Sequence, residues 1–264
     1  MSHLPGVLIA LALAVPAVAG QGDARLLAPT GTLRASLLAT NPVQGRVDPQ
    51  TGAVTGPVAD LVRVLAAQLA VPYTLVPVAN AAAVIESIRT GQVDIGFLAY
   101  EAVRAEQVDF SAPYFLMGNA YIVRADSPLQ RAAAVDRAGV RVRAVKGQSQ
   151  QIWVSEHLTR ARIDTVPDMP GHAALAAMLA RGEVDVFAAN RQRLEEAVQA
   201  APGMRVLADN FSVVGQAIVV PKGDAARLAR VNAFVAAALE SGEVRAALDR
   251  AKLAGVEVAP SPRR

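Results

Sequence analysis

The chain has no cysteine among its 264 residues. A disulfide framework, a thiolate metal site, a cysteine nucleophile and lipid attachment through an N-terminal cysteine are therefore excluded. Histidine is nearly absent too, with three copies. Neither His157 nor His172 stands at metal-ligand spacing from another histidine, so no metal is expected. The sequence holds no Gly-x-Ser-x-Gly elbow and no phosphate loop ending in Gly-Lys-Ser/Thr. Charge is close to balanced, 26 basic against 23 acidic side chains for a formal +3, and no basic run lies inside the chain. This argues against nucleic acid as a partner. After the first twenty or so residues no apolar run is long enough to span a bilayer.

What is present is globular. Hydrophobic residues make up 53% of the chain and charged residues 19%, a balance that supports a packed core. The length allows one large domain or two modest lobes. The opening MSHLPGVLIALALAVPAVA carries no Lys, Arg, Asp or Glu. Its apolar stretch at 6–15 is short for a membrane span, and Ala17-Val18-Ala19 forms a small-x-small site. Residues 1–19 are expected to be a secretory signal, which makes the mature protein periplasmic.

Periodicity marks out the elements. Val58, Leu61, Val62, Leu65 and Leu69 recur at helical spacing, and Val71-Pro72 ends that helix. TLVPV at 74–78 reads as a strand. Val84, Ile85 and Ile88 predict a second helix closed by Gly91. VDIGFLA at 93–99 is a nearly continuous apolar run, as a parallel strand covered on both faces requires. A similar device recurs: IRTGQVDIGF at 88–97 aligns with LARGEVDVFA at 179–188, Gly91 with Gly182 and Asp94 with Asp185. Before the second copy, GVRVRAV at 139–145 reads as a strand and Gln150 to Arg160 as a helix. The alternation of strands and helices predicts α/β structure, in two lobes of one design. A last amphipathic helix follows from Arg227, Leu228, Val231, Phe234, Val235, Ala238 and Leu239, and 259–264 is expected to be a loose tail.

Ligands of open α/β sheets bind beyond the carboxyl ends of the strands. Four such ends are polar here although the strands before them are apolar: Thr40-Asn41, Ala99 to Arg104 including Tyr100 and Glu101, Lys146 to Ser149 including Gln148, and Ala189-Asn190. Ser149 can cap the helix that follows it, and the free N–H groups there also favour an anion. Trp153 reads as core more readily than as a stacking platform. Glu101 and Arg104 can form an exposed pair worth a few tenths of a kcal/mol. Alternatively, Arg104 in a dry cleft gains about 1.5–3 kcal/mol per charge-assisted bond to a ligand carboxylate.

The spacing Phe-Leu-Ala-x3-Arg-x5-Phe-Ser-x-Pro-Tyr, from Phe97 through Arg104 to Tyr114, resembles the extracellular solute-binding proteins of polar amino acid ABC transporters. Val145-Lys-Gly147 and Gly182-Glu-Val-Asp185 are similar to the same family, over about 30–250. The resemblance implies two similar α/β lobes joined by a two-stranded hinge, with a ligand cleft between them, the type II periplasmic binding protein fold. Lobe 1 would comprise 25–116 and 213–258, and lobe 2 would comprise 117–212. It implies that Arg104 holds a ligand carboxylate, with Gln148 and Ser149 assisting. The sequence departs from the family pattern at Ala99 and Glu101, where hydroxyl residues stand. It departs again at Asn190, where an acid holds the α-ammonium group, and at Thr40-Asn-Pro-Val43, which lacks an aromatic ring.

These departures tilt the expected ligand toward a carboxylate that is not an α-amino acid. The implied function is capture of a small carboxylate-bearing solute, delivered to a membrane permease by a monomer that needs no cofactor and has no catalytic residue. The alternative on the same fold is an exported dehydratase acting on prephenate or arogenate, for which Glu101 and Lys146 are the candidate acids.

Overall fold

The structure, a computed structural model, describes residues 19–261. The expected export signal lies outside the described residues except for Ala19, as do the last three residues of the tail.

The chain runs α1 (Ala19–Leu27), β1 (Leu33–Leu38), the short pair β2 (Arg46–Val47) and β3 (Val54–Thr55), α2 (Pro57–Leu69), β4 (Tyr73–Val78), α3 (Ala81–Arg89), β5 (Ile95–Ala99), α4 (Ala102–Ala105), β6 (Val108–Phe110) and β7 (Phe115–Arg124). A 3-10 turn (Ala132–Ala134) leads to β8 (Arg141–Val145), α5 (Ser149–His157), β9 (Arg162–Val166), α6 (His172–Ala180), β10 (Val186–Asn190), α7 (Arg191–Ala200) and β11 (Met204–Val206). The chain then returns through β12 (Ser212–Pro221), α8 (Ala225–Glu240), α9 (Glu243–Ala251) and β13 (Val256–Val258).

Local sequence accounts for most of these elements. In α2 the apolar stripe Val58, Leu61, Val62, Leu65 and Leu69 is buried, and Pro57 opens the helix where a missing N–H matters least. Asn80 caps α3 by accepting from Ala83 N at 2.9 Å, and Gly91 just beyond takes the left-handed φ of 69° that stops a helix without side-chain strain. In β5, Ile95 and Phe97 enter one core cluster and Leu98 another. In β10, Phe187 and Ala189 face one cluster while Val186 and Ala188 face another. Both strands are covered on both faces, which is why their apolar runs do not alternate.

The sheet order is β4-β1-β5-β12-β7-β10-β8-β9. β1 lies parallel to β4 and β5, and β8 lies parallel to β9 and β10. Each set of three is flanked by a long antiparallel strand, β12 beside β5 and β7 beside β10. These two strands also pair with each other, from Ser212 opposite Asn119 to Gln216 opposite Phe115. The architecture is two α/β lobes joined by a two-stranded hinge, and the expected repeat is the unit β1-α2-β4-α3-β5 answered by β8-α5-β9-α6-β10.

The repeated Val-Asp has a structural cause. Asp94 takes the Arg34 backbone N–H at 2.8 Å and its guanidinium at 3.1 and 2.7 Å. Asp185 takes the Arg141 backbone N–H at 2.8 Å and its guanidinium at 3.0 and 2.9 Å. Each aspartate therefore clamps the start of the central parallel strand of its lobe through bidentate, charge-assisted bonds.

One helix departs from expectation. The helix predicted to reach Arg160 ends at His157. Asp136 stops it, accepting the N–H groups of Thr159, Arg160 and Ala161 at 3.0, 2.7 and 3.0 Å. Those three amides hold the Asp136 carboxyl down to about 2.

The two clamps differ in burial. Asp94 is 1% exposed, whereas the side chains of Arg141 and Asp185 are 41% and 36% exposed. Asp94→Asn is expected to destabilise the fold by roughly 1–3 kcal/mol, since the bonds to the Arg34 backbone and guanidinium lose their buried charged acceptor. Asp185→Asn should lose about 1 kcal/mol or less because water screens the pair. Urea unfolding of both variants is the check, and equal losses would contradict the distinction.

Candidate functional site

The carboxyl ends of β1, β5, β8 and β10 meet across one cleft, and their last residues with the turns and helix starts that follow carry all eight expected site residues. Arg104, Ala99, Asn41, Ser149 and Asn190 are buried there. Glu101 and Gln148 are half-buried, and Tyr100 is 52% exposed.

The turn after β1 is held by Gln44, which sequence reasoning missed. Its Oε1 accepts from Leu38 N at 2.8 Å. Its Nε2 donates to the Phe97 carbonyl at 3.1 Å and to Gln216 Oε1 at 3.3 Å. One fully buried amide thus ties the turn to β1, β5 and β12. The backbone adds Asn41 N to the Leu38 carbonyl at 3.1 Å and Gln44 N to the Asn41 carbonyl at 3.0 Å. Asn41 is left pointing at the cleft, and its Oδ1 receives Asn190 Nδ2 at 3.3 Å from the other lobe. No local pattern could have revealed Gln44, because its partners lie 53 and 172 residues away.

Arg104 sits on the short helix α4 and is 5% exposed. Its Nη1 donates to the Ala99 carbonyl at 2.8 Å, and its Nη2 crosses the cleft to the Gly147 carbonyl at 2.9 Å. Burial pushes its pKa down, and the Glu101 carboxylate partly opposes that. A guanidinium carries more N–H donors than these two carbonyls use. The Gly147 carbonyl is available because Gly147 adopts a left-handed φ of 74°, a backbone that side-chain-bearing residues resist.

Glu101 answers Arg104 from the N-cap position of α4. Burial raises its pKa, while the Ser149 hydroxyl and the Arg104 charge pull it down and Glu156 pushes it up. It lines a cavity of about 270 Å³ together with Tyr100, Ser149, Trp153 and Glu156. Trp153 also packs against the second-lobe core, as expected. It stacks on His157 with ring centroids 4.3 Å apart.

Ser149 is corrected in one respect. It is the first residue of α5 rather than its cap; Gln148 holds the N-cap position in extended backbone, and its side chain makes no capping bond. The amide that reaches back belongs to Gln151, whose Oε1 accepts from Gly147 N at 3.0 Å. With its hydroxyl not engaged as a cap, Ser149 is free to meet Glu101 across the cleft.

Asn190 is the N-cap of α7, accepting from Arg193 N at 2.9 Å. Between that bond and its contact with Asn41, it presents no charge to the cleft. Arg193 was also missed by sequence reasoning. It lines a cavity of about 550 Å³ together with Thr40, Arg46, Lys146, Gln148 and Glu196. Burial lowers its pKa to about 10, against the attraction of Glu196. The Arg191-Gln-Arg193 run reads in sequence as an ordinary solvated helix start, and nothing local marks Arg193 as facing inward. Arg46 and Glu196 form an ion pair between the lobes. With the Arg104–Gly147 and Asn190–Asn41 contacts, this pair shows the lobes closed on one another. Among the described residues no group of His, Asp or Glu is placed to hold a metal ion.

The model of the bacterial extracellular solute-binding proteins, family 3, matches residues 35–251. The chain belongs to that family. No curated protein matches it. Among solved structures it is similar to a mutant of an arginine-binding protein from T. maritima, at 22% identity over 88% of this chain and 98% of that one, with a TM-score of 0.69. It is similar to an amino acid ABC transporter substrate-binding protein from Streptococcus pneumoniae bound to L-arginine, at 21% identity over 85% and 96% of the two chains and a TM-score of 0.70. It is also similar to an ancestral amino acid-binding protein described as a precursor of cyclohexadienyl dehydratase, at 23% identity over 84% and 96% and a TM-score of 0.69. At such identities these solved structures establish the shared fold.

Proposed function

We propose that the protein captures a small carboxylate-bearing solute by closing its two lobes and delivers it to the permease of an ABC transporter. On this reading it is exported to the periplasm after loss of residues 1–19 and acts as a monomer. Lobe 1 comprises 25–116 and 213–258, and lobe 2 comprises 117–212. The observation that carries the reading is Arg104, a guanidinium withdrawn from water at the meeting line of the lobes, with N–H donors to spare. Glu101 is the carboxylate that opposes its desolvation. A solute carboxylate there would complete its hydrogen bonding and reward closure, because closure requires contacts made with both lobes.

Arg104 cannot act alone. Each charge-assisted bond contributes about 1.5–3 kcal/mol, and a micromolar affinity needs about 8 kcal/mol. Gln148, Ser149, Asn41 and Asn190 supply further polar contacts, Ala99 and Tyr100 shape the floor and rim, and Glu101 sets the local charge. Arg104→Ala should weaken solute binding tenfold or more while circular dichroism and the urea midpoint report an intact fold. Calorimetric affinity that stays at the wild-type value would remove Arg104 from the site.

Glu101 makes binding pH-dependent with a definite sign. Burial already raises its pKa above the ordinary carboxylate range. A solute anion beside Arg104 adds negative charge and draws off the cation that favours ionised Glu101, so the pKa rises further on binding. The complex then holds more protons than the free protein, and affinity should strengthen as pH falls through the Glu101 range. Calorimetry in two buffers of different ionisation enthalpy should show net proton uptake that Glu101→Gln abolishes. Proton release, or uptake that survives the substitution, would refute this coupling.

The second reading is a dehydratase on the same fold. The observation favouring it is Glu101 itself, a half-buried carboxyl of raised pKa that lines a cavity with Ser149, as a general acid requires. Incubation with prephenate or arogenate separates the readings. An aromatic product whose formation is lost in Glu101→Gln would favour the enzyme, and no product would leave the binding protein.

A further inference from the structure

The 550 Å³ cavity holds more positive charge than its walls neutralise. Arg46, Lys146 and Arg193 line it, and so do Asp168 and Glu196. Glu196 is already committed: Arg46 reaches it from the other lobe, and Gln192 Nε2 donates to it at 2.6 Å. Asp168 is exposed at the rim. Lys146 and Arg193 are left without a dedicated carboxylate. Among the described residues the Arg193 guanidinium makes no direct hydrogen bond or ion pair, and Glu196 attracts it at longer range.

Taking a cation out of water without a partner is costly. Arg193, half-buried in the cavity wall, bears part of that cost, and burial lowers its pKa. Its backbone N–H serves the Asn190 cap whatever side chain it bears. The guanidinium is therefore the feature that needs an explanation. Asn190, which caps the same helix, is uncharged and already bonded twice. A solute cation placed in this cavity would meet Lys146 and Arg193 with little to offset them.

The cavity is continuous in its lining with the surroundings of Arg104. A second cavity, of about 610 Å³, is lined by Arg104, and Asn80, Lys146, Gln148 and Pro167 line both. Lys146 and Gln148 thus stand between the cavity that Arg104 lines and the one that Arg193 lines.

We propose that the solute carries two anionic groups, one held by Arg104 and the other by Arg193 and Lys146, so that the site takes a small dicarboxylate. This rests on the carboxylate reading of the cleft and sharpens it: Arg104 provides affinity for the first carboxylate, and Arg193 provides the preference for a second. Charge complementarity of this kind selects as much by repelling the wrong charge as by attracting the right one.

The test uses the purified full chain and three classes of probe: aliphatic dicarboxylates from malonate to adipate, monocarboxylates of matched length, and the basic amino acids lysine and arginine. Calorimetry and thermal shift read wild type, Arg193→Gln and Arg104→Ala, with circular dichroism confirming that each is folded. Wild type should bind at least one dicarboxylate about tenfold or more tightly than its matched monocarboxylate, the worth of one good charge-assisted contact. Arg193→Gln should bring that ratio toward one, whereas Arg104→Ala should weaken both classes together. Three outcomes overturn the inference: no dicarboxylate binds, the monocarboxylate binds equally well, or Arg193→Gln leaves the ratio unchanged. If monocarboxylates still bind and depend on Arg104, the carboxylate reading survives the loss of this inference. If lysine or arginine binds and neither acid does, both fall.

Discussion

The antiparallel crossing of β7 and β12 is the constraint from which the rest follows. Each strand spans ten residues, pairing with the other at one end and with a different lobe at its far end. Because both lobes hang on this shared ladder, the carboxyl ends of their parallel strands must face one another, and the cleft is a consequence of topology. Each crossing strand carries a glycine, Gly118 and Gly215. A Cβ at Gly118 would collide with the Asn210 amide, and one at Gly215 would come within 3.0 Å of Pro113. Close packing against these backbones defines where the strands cross, while the ladder bonds keep them in register.

The same residue types are used in opposite ways at the two ends of the strands. At the amino ends Arg34 and Arg141 each own an aspartate and bond it in matched geometry. Those charges are satisfied within the protein, and they fix the sheets. At the carboxyl ends Arg104 and Arg193 lose water without gaining a carboxylate of their own. Glu196 is taken up by Arg46 and Gln192, and Glu101 must serve Arg104, Ser149 and its own burial at once. The structural cations Arg34 and Arg141 are paired, whereas in the cleft Arg46 is paired and Arg104 and Arg193 are not. That difference carries the functional reading, because an unsatisfied buried cation is expensive unless an anion arrives.

Closure and charge are linked through a few cross-lobe contacts. Arg104 of α4 to Gly147 after β8, Asn41 after β1 to Asn190 at the end of β10, and Arg46 of β2 to Glu196 of α7 all span the cleft. All three are polar contacts, of the kind that interfaces between lobes able to move relative to one another make.

Much of the fold was legible in the sequence, because local rules decide it. The stripe Val58, Leu61, Val62, Leu65 and Leu69 has to form a buried helix face, Gly91 has to stop a helix, and VDIGFLA has to be covered on both sides. Arg104 stood out for the same kind of reason, a cation just past an apolar strand. The premature end of α5 did not show, because Asp136 imposes it from another part of the chain. Gln44 did not show, because a buried amide that ties three strands together looks like any polar turn residue until those strands meet. Arg193 did not show, because a helix start rich in arginine is ordinarily solvated, and only the second lobe closing over Thr40 and Arg46 turns it inward. The sequence by itself determined the elements, their repetition and the strand ends that carry polar turns, since these depend on the spacing of neighbours along the chain. The tertiary structure alone decided which charges are answered by a carboxylate of the protein and which are not, since that depends on distances and burial between residues far apart in sequence.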